Sequence, residues 1–297
     1  MIGMKIVSSM VTLILLSNST IAQPKLDSLL IEGRYRSFYF YSPSKKIKKH
    51  TVIFVMHGSG GNGTNMLKPA QALQAAADSL GYFLVYPNGY KNYWNECRRY
   101  ATSVANKENI PEEIFFEGML TYFHAKFRTN KKSFFAIGLS GGGHMAYKLA
   151  MTMPEKCMGI TAVVASLPDS TAIDCIAARK AKAVLIANGT KDGLNKYEGG
   201  EIIIDNKNWG VMRSTENTFS YWATLAGYTG SPVKEELNDP YPDNGQTITK
   251  FSFSDANKPP VILMRVNGGE HAFPKDVDIF MEAASFFAVE KQRGQIK

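Results

Sequence analysis

Short apolar runs recur along the chain, and polar or turn-forming residues separate them. Residues 34–41 alternate with a period of two, which predicts a strand with one solvated face. The later runs are apolar throughout, as in strands that are buried on both faces of a parallel sheet. They span residues 51–56, 82–86, 133–137, 160–165, 183–187 and 261–266.

Helical patterns lie between these runs. Leu73, Ala76, Ala77 and Leu80 stand at offsets 0, 3, 4 and 7, which predicts one apolar helix face. Because strands and helices alternate, the chain is predicted to form a three-layer α/β fold with a mostly parallel central sheet. The other predicted helices cover residues 115–123, 142–153, 214–226 and 276–289.

The first 22 residues have the composition of a secretory signal. Lys5 precedes an apolar stretch at 6–16, and small residues end at Ala22, where cleavage is expected. The stretch is too short to span a bilayer, so no membrane span is predicted for the mature chain; a degenerate anchor is the alternative interpretation of this segment. Residues 23–297 are predicted to form a single catalytic domain that is secreted or periplasmic.

The formal net charge is +8. Its densest part, residues 45–50, lies between two predicted strands and is interpreted as a solvated hairpin or loop. Basic residues interleaved with aromatic residues on one face are absent from the sequence, so no nucleic-acid partner is predicted.

Three cysteines follow the signal segment. In an oxidising compartment two of them can pair, and a bond between Cys157 and Cys175 would close a short loop, which leaves Cys97 free or otherwise partnered. The spacings typical of metal sites are absent, so the sequence predicts no metal and no cofactor.

A glycine-rich stretch, IGLSGGGH at residues 137–144, follows one of the buried strands. Glycines on both sides of Ser140 permit a tight strand-to-helix turn that exposes the hydroxyl. Ser140 is therefore a candidate nucleophile, which requires a base and an orienting carboxylate.

The base must be one of five histidines. His50 lies in the lysine-rich run and is interpreted as solvated, His57 is interpreted as supporting the loop after it, and His124 has no evident partner in its helix. His144 follows the serine by four residues on the same helix, too near in sequence to approach the hydroxyl from another loop. His271, which directly follows a buried strand, is the candidate base.

Asp192 is the favoured orienting acid because it follows the strand at 183–187 and precedes the strand that leads to His271. Asp169 remains an alternative from the neighbouring loop. Two backbone N–H groups must also stabilise the developing oxyanion. Gly141 is expected to supply one, and the other is assigned first to Ser59 and second to Gly60.

With these pieces placed, the chain resembles the secreted esterases grouped as polyhydroxybutyrate depolymerase-like and feruloyl esterase proteins of the α/β-hydrolase fold, over residues 34–288. The resemblance implies Ser140, Asp192 and His271 as catalytic residues and an oxyanion hole between Gly141 and the loop after His57. The stretches that carry it are VIFVMHGSGGNG, LGYFLVYPNGY, YWNECRR, FAIGLSGGGHMAYKLAMTMPE, NGTKDGL, FSYWATLAGY and VNGGEHAFP.

The sequence departs from the family pattern at three places. Asn188 stands where many members have a histidine, and Gly141 stands where an asparagine is usual after the nucleophile. The cysteine pair of many members, expected near Tyr228 and Asp255, is absent from the sequence.

The resemblance implies an ester-bearing polysaccharide or polyester as substrate, with feruloyl esters on plant cell-wall xylan as the first interpretation. Trp94 and Asn95 are expected to border the substrate cleft. Alternatives are a polyhydroxybutyrate-type depolymerase, an acetyl xylan esterase and a catalytically silent carbohydrate-binding protein. A lipase is disfavoured because residues 198–208 are too polar for an apolar helical lid.

Overall fold

The computed structural model describes residues 23–42 and 49–296. The predicted signal segment and most of the lysine-rich run lie outside these residues. The strands are β1 (Lys25–Ile31), β2 (Arg34–Tyr41), β3 (Thr51–Met56), β4 (Tyr82–Pro87), β5 (Phe134–Leu139), β6 (Cys157–Val163), β7 (Ala183–Gly189), β8 (Gly200–Ile204), β9 (Lys207–Met212), β10 (Val233–Glu236), β11 (Thr247–Asp255) and β12 (Lys258–Asn267). The helices are α1 (Gln71–Leu80), α2 (Val104–Lys107), α3 (Glu112–Phe127), α4 (Gly141–Thr152), α5 (Thr215–Leu225) and α6 (Ile279–Ile296).

Ten strands form one sheet in the order β1-β2-β4-β3-β5-β6-β7-β12-β11-β10. The central six strands, from β4 to β12, are parallel, and the two strands at each edge pair antiparallel. Strands β8 and β9 form a separate antiparallel hairpin. The predicted mostly parallel sheet is confirmed.

Side chains of the central strands divide between two hydrophobic clusters, one on each face of the sheet. In β3, Val52, Phe54 and Met56 join the cluster that contains residues of α3, α4 and α5. Ile53 and Val55 join the cluster that contains residues of α1 and α6. Because successive side chains of a strand point to opposite faces, a continuous apolar run corresponds to burial on both sides. The three-layer arrangement follows from this division.

The parallel strands bring distant segments together at one edge of the sheet. Strand β5 ends at Leu139, β7 at Gly189 and β12 at Asn267. The loops that follow these strands carry the three candidate catalytic residues. The carboxyl edge of a parallel sheet is where ligands bind in open α/β folds.

The expected pairing of Cys157 with Cys175 is wrong. The disulfide joins Cys97 to Cys175, whereas Cys157 is a buried free thiol at the start of β6. The reason lies in the backbone, since Arg98 forms an antiparallel bridge with Ile173 and so brings the two chain segments side by side.

Candidate active site

Ser140 occupies the sharp turn between β5 and α4. Its backbone has φ 52° and ψ −117°, a conformation that non-glycine residues rarely adopt. The Ser140 amide donates a hydrogen bond to the Val163 carbonyl at 2.8 Å, which ties the turn to the neighbouring strand. A strained serine held in this way is typical of the nucleophile turn of an esterase.

The glycines around Ser140 allow the turn to approach other backbone segments. A Cβ at Gly142 would lie 2.7 Å from the His57 carbonyl oxygen and would collide with that of Met56. At Gly141, a Cβ would lie 3.0 Å from the Ser59 amide nitrogen. These contacts explain the crowding of glycine in the motif, and they put the turn against the loop that follows β3.

His271 bridges Ser140 and Asp192. Its Nε2 atom lies 2.8 Å from the Ser140 Oγ atom, and its Nδ1 atom lies 2.7 Å from the Asp192 Oδ2 atom. An imidazole that accepts a hydrogen bond from a serine hydroxyl through Nε2 and donates one to a carboxylate through Nδ1 can take up the serine proton. The structure therefore brings together the three residues that the sequence singled out.

Asp192 is almost fully buried, and both of its carboxylate oxygens have partners. The Oδ1 atom accepts hydrogen bonds from the Leu194 and Asn195 amides, each at 2.8 Å. The alternative acid, Asp169, lies elsewhere and accepts hydrogen bonds from the amide and hydroxyl of Thr171. Of the two candidate acids, Asp192 is the one that contacts the histidine.

His57 is buried behind the loop that follows β3. Its Nδ1–H donates to the Gly58 carbonyl at 2.7 Å, while its Nε2 atom accepts from the Gly89 amide at 2.9 Å. Burial lowers the pKa of His57 to about 4, so the ring is neutral at physiological pH. This arrangement agrees with the structural role predicted for His57.

The two candidate oxyanion donors of that loop differ in their partners. The Gly60 amide donates to the Asn92 carbonyl at 2.9 Å, so its N–H group already has an acceptor and is not free to bind an oxyanion. Among the described residues, the amides of Ser59 and Gly141 have no acceptor. These two N–H groups lie close together in space, since a Cβ at Gly141 would lie 3.0 Å from the Ser59 amide nitrogen, and Gly141 directly follows Ser140.

The other three histidines, His50, His124 and His144, lie in different surroundings. His50, interpreted from the sequence as solvated, is buried, and burial lowers its pKa. His124 donates through Nδ1 to the Thr129 carbonyl at 2.7 Å. His144 is buried and lines the cavity beside Ser140; burial first, then the nearby charges of Arg98 and His271, lowers its pKa well below the usual value.

A cavity of about 380 Å³ opens beside Ser140 and His271. Its volume falls in the range of small-molecule sites. Polar groups reach it from Arg98, His144, Asn195 and Asp205. Its apolar lining comes mainly from Tyr93, Leu194, Ile202, Ile204 and Trp209.

Trp94 and Asn95, expected at the substrate cleft, do not line this cavity. Trp94 is buried and donates through Nε1 to the His57 carbonyl at 2.9 Å. The Asn95 side chain donates to the Ile110 carbonyl at 2.9 Å. Both side chains form hydrogen bonds to backbone carbonyls in the interior. The expectation that they border the substrate cleft is therefore wrong. The neighbouring Tyr93 lines the cavity instead.

The β8–β9 hairpin covers part of the cavity and was not predicted from the sequence. Ile202 and Trp209 are buried toward the site, whereas Ile203 between them in sequence is exposed. The polar composition of residues 198–208 as a whole concealed the hairpin. The available signal was a run of three β-branched residues, Ile202, Ile203 and Ile204, directly before the turn-forming residues Asp205 and Asn206.

Side chains that could ligate a metal ion are not clustered in the part of the chain that the structure describes. Within residues 23–42 and 49–296, no group of three or more His, Cys, Asp or Glu side chains is arranged to hold a metal ion.

Comparisons with known proteins give related sequences. No family model matches the chain. Feruloyl esterase B of Neurospora crassa is 27% identical over 121 residues, which cover 39% of each protein. The protein named "Probable feruloyl esterase C" of Aspergillus clavatus is 24% identical over 262 residues, which cover 86% of this chain and 82% of that relative. The chain thus spans less than half the length of feruloyl esterase B.

Solved structures show the same fold. An acetyl xylan esterase from Aspergillus awamori superposes with a TM-score of 0.56 at 17% identity, over 88% of this chain and 99% of that one. Esterase PE8 superposes with a TM-score of 0.50 at 14% identity, over 83% and 95%. The predicted α/β-hydrolase fold and the resemblance to feruloyl esterases are therefore confirmed.

Proposed function

We propose that this protein is a serine esterase that hydrolyses carboxylic esters through an acyl-enzyme formed on Ser140. The observation that supports it best is the pair of hydrogen bonds that join Ser140 to His271 and His271 to Asp192. The similarity to feruloyl esterases supports the same reaction class.

The first half of the reaction forms the acyl-enzyme. As the Ser140 Oγ atom attacks the ester carbonyl carbon, His271 Nε2 takes the hydroxyl proton. The tetrahedral intermediate collapses when the C–O bond to the alcohol breaks, and the histidine returns its proton to the leaving oxygen. Asp192 accepts the Nδ1–H bond throughout and stabilises the imidazolium.

The second half releases the acid. A water molecule replaces the alcohol, loses a proton to His271 Nε2 and attacks the acyl carbon. Collapse of this intermediate breaks the bond to the Ser140 Oγ atom, which regains the proton. In both halves the carbonyl oxygen becomes negative, and the amides of Ser59 and Gly141 are proposed to stabilise it. Their lack of another acceptor among the described residues supports this role.

The proposed substrate is a feruloyl or related aromatic ester on plant cell-wall xylan. The volume of the cavity beside Ser140 lies in the range of small-molecule sites, and Tyr93 and Trp209 supply aromatic side chains to its lining. An acetyl group would leave most of its volume of about 380 Å³ unfilled. Acetyl xylan and hydroxybutyrate polyesters are the alternative substrates.

We also propose that the protein is exported from the cytoplasm. Residues 1–22 are proposed to be removed as a signal segment, so that residues 23–297 act outside the cytoplasm as one catalytic domain. None of the helices within residues 23–42 and 49–296 combines the length and apolarity needed to cross a membrane. Mass determination of the protein recovered from culture medium or periplasm tests this part, since cleavage after Ala22 gives a defined N-terminus.

Initial rates on methyl ferulate, p-nitrophenyl acetate and a hydroxybutyrate oligomer test the function. We expect the highest kcat/KM on the ferulate and a loss of at least about a thousandfold in kcat for Ser140→Ala, with circular dichroism unchanged. Cleavage of only the acetate or the oligomer would keep the esterase and change its substrate. No cleavage of any ester by the wild type would favour the carbohydrate-binding alternative.

A further inference from the structure

A buried arginine lines the cavity beside the proposed nucleophile. Arg98 is only 3% exposed, yet it borders the same cavity as Ser140. Its Nε and Nη2 atoms both donate to the Glu96 Oε1 atom, the first at 2.8 Å. Buried charges are tolerated when they are paired in this way. The proposed triad does not use either residue.

The ion pair leaves hydrogen-bond donors free. An arginine side chain has five N–H groups and no acceptor, and Glu96 occupies two of them. Among the described residues, the Nη1 atom of Arg98 has no hydrogen-bond partner. Because Glu96 offsets the positive charge, the pair favours a neutral oxygen acceptor over a carboxylate.

Aromatic side chains lie next to this donor. The Arg98 guanidinium stands 5.5 Å from the centre of the Trp209 ring, and Trp209 lies 6.3 Å from the Tyr93 ring at an interplanar angle of 31°. Trp209 belongs to the β8–β9 hairpin. An aromatic acyl group in this cavity would contact apolar surface and a cationic donor together.

The backbone around Arg98 is held in place from both sides. The Cys97–Cys175 disulfide fixes the preceding residue. The Arg99 amide donates to the Ala172 carbonyl at 2.9 Å. A donor on a segment anchored in this way loses little conformational freedom when it binds.

We propose that Arg98 is the specificity-determining residue for the acyl group, donating a hydrogen bond to a hydroxyl or methoxy oxygen on the aromatic ring. This inference rests on the proposed function, since it takes Ser140 as the site of acyl transfer. The ligand class is an oxygen-substituted aromatic acid rather than an unsubstituted one.

The test compares methyl ferulate with methyl cinnamate, which lacks the ring oxygens. We expect wild-type kcat/KM to favour the ferulate by at least about tenfold, because the cinnamate leaves a buried charged donor unpaired. In Glu96→Gln/Arg98→Gln, which removes both charges, this ratio is expected to fall to near one, mainly through a higher KM for the ferulate. Arg98→Lys keeps the charge and is expected to retain part of the preference.

A matched control is Arg36→Gln/Glu112→Gln, because Arg36 and Glu112 form another buried ion pair, at 2.8 Å, that does not line the cavity. Its ferulate-to-cinnamate ratio should equal that of the wild type. A wild-type ratio near one, or an unchanged ratio in the Arg98 variants, overturns the inference. Failure of the proposed function is distinguishable, since it would abolish hydrolysis of p-nitrophenyl acetate by the wild type as well.

Discussion

The Nδ1 atom of His271 lies 2.7 Å from the Oδ2 atom of Asp192, and these residues are 79 positions apart in the chain. The contact requires β7 and β12 to lie side by side in the sheet. It fixes which nitrogen of the ring carries the proton, and therefore leaves Nε2 as an acceptor for the Ser140 hydroxyl.

Asp192→Asn should lower kcat by about ten-thousandfold without unfolding the protein, because an amide at this position favours the wrong histidine tautomer. The matched control is Asp169→Asn, which alters the carboxylate that accepts from Thr171. Its kcat should remain within about twofold of the wild type. Steady-state kinetics on methyl ferulate decide between the two acids, and the reverse ranking would reassign the role.

The stability of the protein should fall as the pH is lowered from about 6.5 to 4. The pKa of His57 is lowered from 6.5 to about 4 in the folded state, so the unfolded chain binds the extra proton within this window. The stabilisation is complete above pH 6.5 and is lost as the pH approaches 4. It amounts to about 3–4 kcal/mol, from the shift of the pKa from 6.5 to about 4 at roughly 1.4 kcal/mol per pKa unit.

Urea unfolding at several pH values, with wild type and His57→Gln in parallel, measures this contribution. Glutamine can still accept from the Gly89 amide but does not titrate. We expect a shallower dependence of the free energy of unfolding on pH in the variant, since all other titrating groups are common to both proteins. Identical slopes would assign the acid sensitivity to other groups.

Gly142→Ala should destabilise the fold strongly. The added Cβ would lie 2.7 Å from the His57 carbonyl oxygen and still closer to that of Met56. Overpacking against backbone lowers the free energy of unfolding by about 3 kcal/mol or more. Gly193→Ala is the control, because a Cβ there meets nothing within 4 Å. Thermal unfolding should separate the variants clearly, and equal melting temperatures would contradict the close approach at the turn.

Thiol titration should find one free thiol per chain in denaturant and three after reduction. The one free thiol is Cys157, which is buried, and burial raises its pKa to about 12. It should therefore not react in the native state. Replacing Cys97 and Cys175 by alanine is expected to lower the free energy of unfolding by about 2–5 kcal/mol. Three thiols in unreduced, denatured protein would exclude the disulfide.

The central strands could be predicted because each is buried on both faces. Residues 51–56 form β3 with the predicted bounds, and the run at 183–187 lies within β7. Strands β1, β10 and β11 and the β8–β9 hairpin were missed. These segments have exposed or mixed faces, so their hydrophobic pattern is weak; all four residues of β10, for example, are exposed.

The candidate site was predicted in part. Ser140, Asp192 and His271 follow three buried strands in the order typical of this fold, and the structure brings their side chains into contact. Their catalytic roles, and those of Ser59 and Gly141, remain predictions. Trp94 was misplaced because an aromatic residue near a strand end is equally compatible with the interior and with a cleft.

Local sequence patterns predict the alternation of strands and helices, the glycine turn at Ser140 and the loops that carry Asp192 and His271. These features depend on the hydrophobic periodicity of short segments and on the backbone conformations that glycine permits within a few residues. Long-range packing, by contrast, sets the pairing of Cys97 with Cys175, the position of Arg98 at the cavity and the contribution of the β8–β9 hairpin to the cavity lining. These contacts depend on how distant segments pack against one another, which the pattern within any one segment does not encode.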